Sequence, residues 1–110
     1  MNQPLWLAME ARLRKELDAF EIRVSKTQLS LYSGCMFACV SEPRSKKQKD
    51  GVILTFGLPS RVESDRIWQV TEPYPNRWTH HMLITSESQL DDELIHWLRA
   101  AQAFAQMKKR

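Results

Sequence analysis

Glycine and cysteine are scarce in this chain, whose 110 residues include three glycines and two cysteines. Three glycines are too few for the glycine-rich loops that cradle phosphates in many nucleotide-binding proteins. The cysteines, Cys35 and Cys39, form a single C-x-x-x-C, whereas a structural zinc needs four ligands. On a strand they would lie about 13 Å apart, which is too far for a disulfide. We therefore expect two reduced thiols, no cofactor and no metal site.

Long apolar runs and a strong excess of charge are also missing. The apolar stretches are far shorter than the roughly 20 residues of a membrane-spanning helix, and MNQPLWLAMEARLRK lacks a cleavable signal pattern. Sixteen basic and thirteen acidic residues leave a net charge of +3, which is not a strong nucleic-acid signature. The excess lies in 44–49 and 108–110, as in a solvated loop and tail. We expect one soluble, cytoplasmic domain over 1–110 that makes no membrane contact.

Two amphipathic segments predict helices at the two ends of the chain. In PLWLAMEARLRKELDAF, the apolar residues recur three or four positions apart, which draws one apolar stripe; they are Trp6, Met9, Leu13, Leu17 and Phe20. The last segment, SESQLDDELIHWLRAAQAFAQM, opens with Ser86 and has Gln89 three residues later, a capping-box pattern. Its acidic residues come early and its basic residues late, which suits the helix dipole.

Alternating apolar and polar residues predict strands between these helices. They are EIRVSK, QLSLYS, CMFACVS, VILTFGL and THHMLIT. Asp50-Gly51 is a turn signal before VILTFGL, so we expect a hairpin with a long basic tip. The segment 60–72 fits either a short helical turn or a strand. The sequence therefore predicts an α+β fold, with an antiparallel sheet flanked by an N-terminal and a C-terminal helix.

The adjacent histidines in NRWTHHMLIT raise the question of a catalytic or metal site. If 79–85 is extended, His80 shares a face with Met82 and Ile84, while His81 points the other way. Two such histidines cannot readily hold one metal ion, because ligand pairs on a strand are two residues apart. Either ring would act as a general base only with a nucleophile or water within reach.

Cations interleaved with aromatic residues form a second candidate site. We expect Lys26, Arg66, Arg77 and His81 to bind an anion, with Tyr74 and Trp78 as stacking surfaces. Such groups suit a planar anionic ligand or single-stranded nucleic acid. The competing interpretation places the aromatic rings in the core and pairs the cations with neighbouring carboxylates.

Three stretches of the sequence resemble a family of small bacterial domains of unknown function, DUF5655. They are FACVS, EPYPNRWTHHMLITS and LDDELIHWLRAA, and the similarity runs from about Ser25 to Phe104. The family occurs as stand-alone proteins and as modules of larger ones. The resemblance implies a compact α+β fold and supplies no activity or catalytic residues.

Three functions from different classes fit these observations. The leading hypothesis is a non-enzymatic binding or interaction module for an anionic small molecule or single-stranded nucleic acid. The second is a small hydrolase or transferase that uses His80 or His81 as a general base. The third is a homodimer whose sheet closes against a second copy.

Overall fold

The computed structural model describes residues 3–26, 28–42, 51–75 and 77–108. Its elements are helix α1 (Gln3–Glu16), strands β1 (Glu21–Val24), β2 (Gln28–Ser33), β3 (Cys35–Ser41), β4 (Val52–Leu58), β5 (Ile67–Tyr74) and β6 (Arg77–Ile84), and helix α2 (Asp92–Lys108). The six strands form one sheet in the order β1-β2-β3-β4-β6-β5, and all neighbours are antiparallel. The predicted α+β fold is confirmed.

The predicted hairpin is formed by β3 and β4, which pair from Ala38 opposite Phe56 to Ser41 opposite Ile53. The basic residues of its predicted tip lie outside the described residues. The segment whose structure the sequence left open is extended from Ile67 onward and forms the edge strand β5. Pro73 is tolerated there because an edge strand needs hydrogen bonds on one side only.

One face of the sheet carries the hydrophobic core. Along β4 the buried residues alternate with half-buried ones, as expected for a strand with one face in the core. Helix α2 packs on this face, and its Trp97 stacks on Phe56 with ring centroids 6.0 Å apart. Helix α1 lies beside α2, since Arg12 pairs with Asp92 at 2.9 Å. Both helices therefore bury their apolar stripes in one core cluster.

The start of α2 differs from the sequence expectation. Ser86 precedes a single 3-10 turn (Glu87–Gln89), and the Gln89 side-chain oxygen accepts a hydrogen bond from the Ser86 N–H at 3.1 Å. Helix α2 itself begins at Asp92, and the Asp91 carboxylate accepts a hydrogen bond from the Leu94 N–H at 3.1 Å. Asp91 thus takes the role of the N-cap. Neither helix in the described part of the chain has the length and apolar character needed to cross a membrane.

The second face of the sheet, which we call the open face, lies opposite the helices. A row of directly opposed residues crosses it from β2 to β5, and the row is Ser30, Cys39, Thr55, His81 and Gln69. Opposed residues on antiparallel strands project to the same side. Apart from Ser30 these side chains are half-buried or exposed. The open face is therefore polar and accessible at its centre.

Candidate functional site

The two histidines lie on opposite faces of β6, as the alternation predicts. His80 is fully buried with Met82 and Ile84, whereas His81 is half-buried on the open face. Extended backbone through this segment is confirmed by the regular pairing of β6 with β4. The rings therefore cannot converge on one ion or one substrate atom.

His80 is a core residue. Its Nε2 accepts a hydrogen bond from the Val62 N–H at 2.9 Å, and its ring stacks on Phe56 at 5.2 Å. No partner of good geometry faces Nδ1 among the described residues. Burial lowers the pKa of His80, and the nearby carbonyls of Phe56 and Trp78 oppose this only in part. The ring is therefore neutral at pH 7, with its proton on Nδ1.

His81 belongs to a hydrogen-bonded chain on the open face. Its Nδ1 lies 3.0 Å from the Thr55 hydroxyl, and Thr55 also bonds to the Cys39 thiol. Burial lowers the pKa of His81 and raises that of Cys39. At neutral pH, His81 is thus an uncharged ring and Cys39 a protonated thiol. The expectation that His81 supplies positive charge does not fit this environment.

An irregularity in β5 brings an aromatic ring beside His81. Ile67 lies opposite Met82 and Gln69 lies opposite His81, so Trp68 is an extra residue between them. Such a bulge re-aims a side chain that regular alternation would place elsewhere. The Trp68 ring lies 5.9 Å from the His81 ring and is 58% exposed. A large accessible aromatic surface therefore stands on the open face.

Arg77 is the cation of the predicted set that the structure leaves available on this face. It lies two residues from Thr79 and four from His81 on β6, so its side chain projects to the same face as theirs. The distance to His81 along the strand is about 13 Å. It is half-buried, lines two cavities, and forms no ion pair within the described residues. Its guanidinium is therefore free to hold a carboxylate or a phosphate.

Arg66 is occupied by structural contacts. It bonds to the Asp91 and Glu93 carboxylates at 2.9 Å and to the Gln89 carbonyl at 2.7 Å. Its guanidinium also lies 5.7 Å from the centre of the Trp97 ring. Burial acts to lower the pKa of Arg66, but the two acids outweigh it and the pKa is raised. Arg66 thus joins the start of α2 to the sheet.

The remaining predicted residues do not converge with Arg77. Lys26 is exposed between β1 and β2, at the far edge and the opposite end of the sheet. Trp78 lies opposite Leu58 and two residues from His80 on β6, so its side chain projects to the face covered by the helices. The backbone of Tyr74 pairs with Arg77. The structure therefore brings together Arg77 and His81 on one face, and it adds Trp68 and Thr55 to them.

The chemistry open to this face follows from what surrounds the rings. In the described ranges, neither histidine bonds a carboxylate that would orient it as a general base. Across the same ranges, no three His, Cys, Asp or Glu side chains gather as metal ligands would. The described groups are suited to stacking, hydrogen bonding and contact with one anion.

A comparison with models of known protein families found a match over most of the chain. The family model described as "Domain of unknown function (DUF5655)" matches residues 2–105, which is most of the chain. The chain belongs to the DUF5655 family. The resemblance seen in the sequence is thus confirmed, and it extends over the first helix as well. The comparisons with curated proteins and with solved structures found no match for this DUF5655 chain.

Sequence reasoning missed Thr55 and underrated Trp68. Thr55 alternates with the apolar residues of VILTFGL, so alternation alone places its side chain on the face of the sheet away from the core. Its partnership with His81 depends on the β4–β6 pairing, which the sequence does not specify. Trp68 was ambiguous because a bulge shifts the alternation at that residue.

Proposed function

We propose that this DUF5655 domain is a cytoplasmic binding module whose open face takes single-stranded nucleic acid, with a base stacked on Trp68 and a phosphate on Arg77. The observation that carries the proposal is the exposed Trp68 ring beside neutral His81 on a polar sheet face. Single-stranded nucleic acids bind sheet faces and grooves through aromatic stacking and scattered cations. Bases stack without regard to sequence, so we expect weak sequence preference.

The charge distribution supports a small electrostatic contribution to the affinity. Among the predicted cations, Arg77 is the one available on the open face, about 13 Å from His81 along β6, and Arg66 is neutralised by its two acidic partners. For single strands, the logarithm of the affinity falls with the logarithm of the salt concentration by about 0.7 per phosphate contact. One contact at Arg77 predicts a slope of about −0.7 from this residue.

The test is fluorescence anisotropy of a labelled oligothymidylate of about eight nucleotides, titrated at several salt concentrations. Trp68→Ala should weaken binding by about 1–3 kcal/mol, the range for one lost stacking contact. Leu7→Ala is the matched control, because Leu7 is also 58% exposed but lies on helix α1. Equal affinities for wild type and Trp68→Ala would refute the stacking assignment.

Arg77 is tested by the salt dependence rather than by the affinity alone. Arg77→Ala should reduce the magnitude of the salt slope by about 0.7, whereas loss of a neutral contact would leave the slope unchanged. Lys15→Ala, an exposed cation on helix α1, is the control and should leave the slope as in the wild type. Catalysis with His80 or His81 as a general base, homodimer formation and a cytoplasmic location stay predictions from the sequence.

A further inference from the structure

Strands β3 and β4 separate at one end of the sheet. β3 begins at Cys35 and β4 ends at Leu58, but their described pairing stops at Ala38 opposite Phe56. Beyond that point β3 pairs with β2, while the last residues of β4 pair with β6. A slot is therefore left between the start of β3 and the end of β4.

The slot leads into a cavity of about 250 Å³. Apolar side chains of Met36, Phe37 and Phe104 contribute to its walls, and Ala101 of helix α2 contributes little bulk. A smaller cavity of about 100 Å³ shares Met36, Phe37 and Arg77 with it. Drug-sized pockets begin at about 300 Å³, so the space suits a compact ligand.

Glycine at position 57 keeps the slot open. A Cβ built on Gly57 would meet, within 4 Å, only the Nε of Arg77 at 3.9 Å, which is an ordinary contact. The backbone at this position therefore tolerates a side chain, and the strand does not require glycine for its conformation. A larger side chain here would fill the slot while leaving the sheet pairing intact.

Charge identifies the class of ligand. Among the described residues, Arg77 is the one cation that lines either cavity, and no acidic side chain of these residues lines them. A half-buried guanidinium without an ion pair is matched by a carboxylate, whose two oxygens fit its planar fork. The apolar walls then favour a hydrocarbon body attached to that carboxylate.

We propose that the slot between β3 and β4 binds a small carboxylate with an apolar tail, the carboxylate on Arg77 and the tail between Phe37 and Phe104. The proposal goes beyond nucleic-acid binding and shares Arg77 with it, so the two ligands would compete for this guanidinium. Trp68 takes no part in the slot, and Trp68→Ala therefore distinguishes the two proposals. A ligand that fills the slot buries its tail, so affinity rises with tail length until the cavity is full. Each added methylene should strengthen binding about fourfold.

The test uses hexanoate as the probe and follows the backbone amide resonances of the protein by NMR. We expect saturable shifts at Gly57, Arg77 and Ala101, with a dissociation constant on the order of 1 mM. Butanoate, two methylenes shorter, should bind about fifteenfold more weakly. Hexanol and inorganic phosphate should each bind at least tenfold more weakly than hexanoate. Hexanol has no negative charge to pair with Arg77, and phosphate has no apolar tail to fill the slot.

Two variants complete the test. Gly57→Val should abolish the hexanoate shifts, while Thr71→Val, on the exposed edge strand, should leave them unchanged. Arg77→Gln should remove the preference for hexanoate over hexanol, which keeps the proposal testable if Gly57→Val does not fold. Trp68→Ala should bind hexanoate as the wild type does, whatever happens to oligonucleotide binding.

Three results would overturn the proposal: shifts that map away from the slot, equal binding of hexanoate and hexanol by the wild type, or wild-type binding by folded Gly57→Val.

Discussion

Protonation of His80 should destabilise the fold as the pH falls below neutrality. The side chain is 0% exposed, and its Nε2 is occupied as an acceptor from the Val62 N–H. A second proton on this ring would break that bond and place a charge in the core. Burial accordingly lowers the pKa of His80 below its ordinary value of 6.5, and it lowers that of His81 as well.

The magnitude follows from proton linkage. Below pH 6.5 the unfolded chain takes up a proton at each of the two histidines, while the folded chain does not until its lower pKa is reached. The stabilising contribution is full above pH 6.5 and is lost on acidification. The slope that each histidine contributes has an upper limit of about 1.4 kcal/mol per pH unit, which is reached only between its folded and unfolded pKa values. The pKa of Asp91 is lowered from 3.8, so its contribution to stability is lost only at more acidic pH than that of the histidines.

Urea unfolding between about pH 5 and pH 7.5 measures this slope. His81→Gln should make the slope shallower, by less than about 1.4 kcal/mol per pH unit, and His80→Gln should do the same if it folds. His96→Gln, on the exposed side of α2, is the matched control for replacing a histidine outside the sheet. An NMR titration of the wild-type His80 ring gives the same information directly. A His80 pKa at or above 6.5 would refute the reasoning.

Three further outcomes test the packing around the site, each measured by urea unfolding. Arg66→Met, which removes contacts to two carboxylates and a backbone carbonyl, should cost about 1–2 kcal/mol, since solvent screens the exposed acids. Gln102→Leu removes buried bonds between α2 and the chain that follows α1, and should cost about 2–3 kcal/mol. Gly51→Ala would place a Cβ 2.6 Å from the Ile84 carbonyl oxygen and should cost about 2 kcal/mol or more. Gly57→Ala, which has open space, should stay within about 0.5 kcal/mol of the wild type, and equal effects of the two glycine variants would contradict this account.

Much of the fold could be predicted because local patterns and tertiary packing agree. The alternation in THHMLIT placed His80 and His81 on opposite faces of the strand, and the apolar stripes located both helices. The strand order could not be predicted, because β4 pairs with β6 rather than with the next strand in sequence. Residues 60–72 were ambiguous because the extra residue at Trp68 breaks the strand period.

The candidate site was less predictable, since it depends on contacts between distant segments. The sequence gives no sign that Arg66 is paired, because its partners Asp91 and Glu93 lie 25 and 27 residues further along the chain. Trp78 follows Arg77 directly, so strand alternation separates their side chains. The slot beside Gly57 exists because β3 and β4 pair over only part of their lengths. No local pattern reports that partial pairing.

The proposed binding face is tested most directly by mapping the amide and indole resonances that move when the oligothymidylate is added. We expect the Trp68 indole N–H to shift most, together with the amides of Gln69, Thr79 and His81. Shifts confined to helices α1 and α2, or no shifts at oligonucleotide concentrations in the millimolar range, would contradict the claim that the open face binds single-stranded nucleic acid.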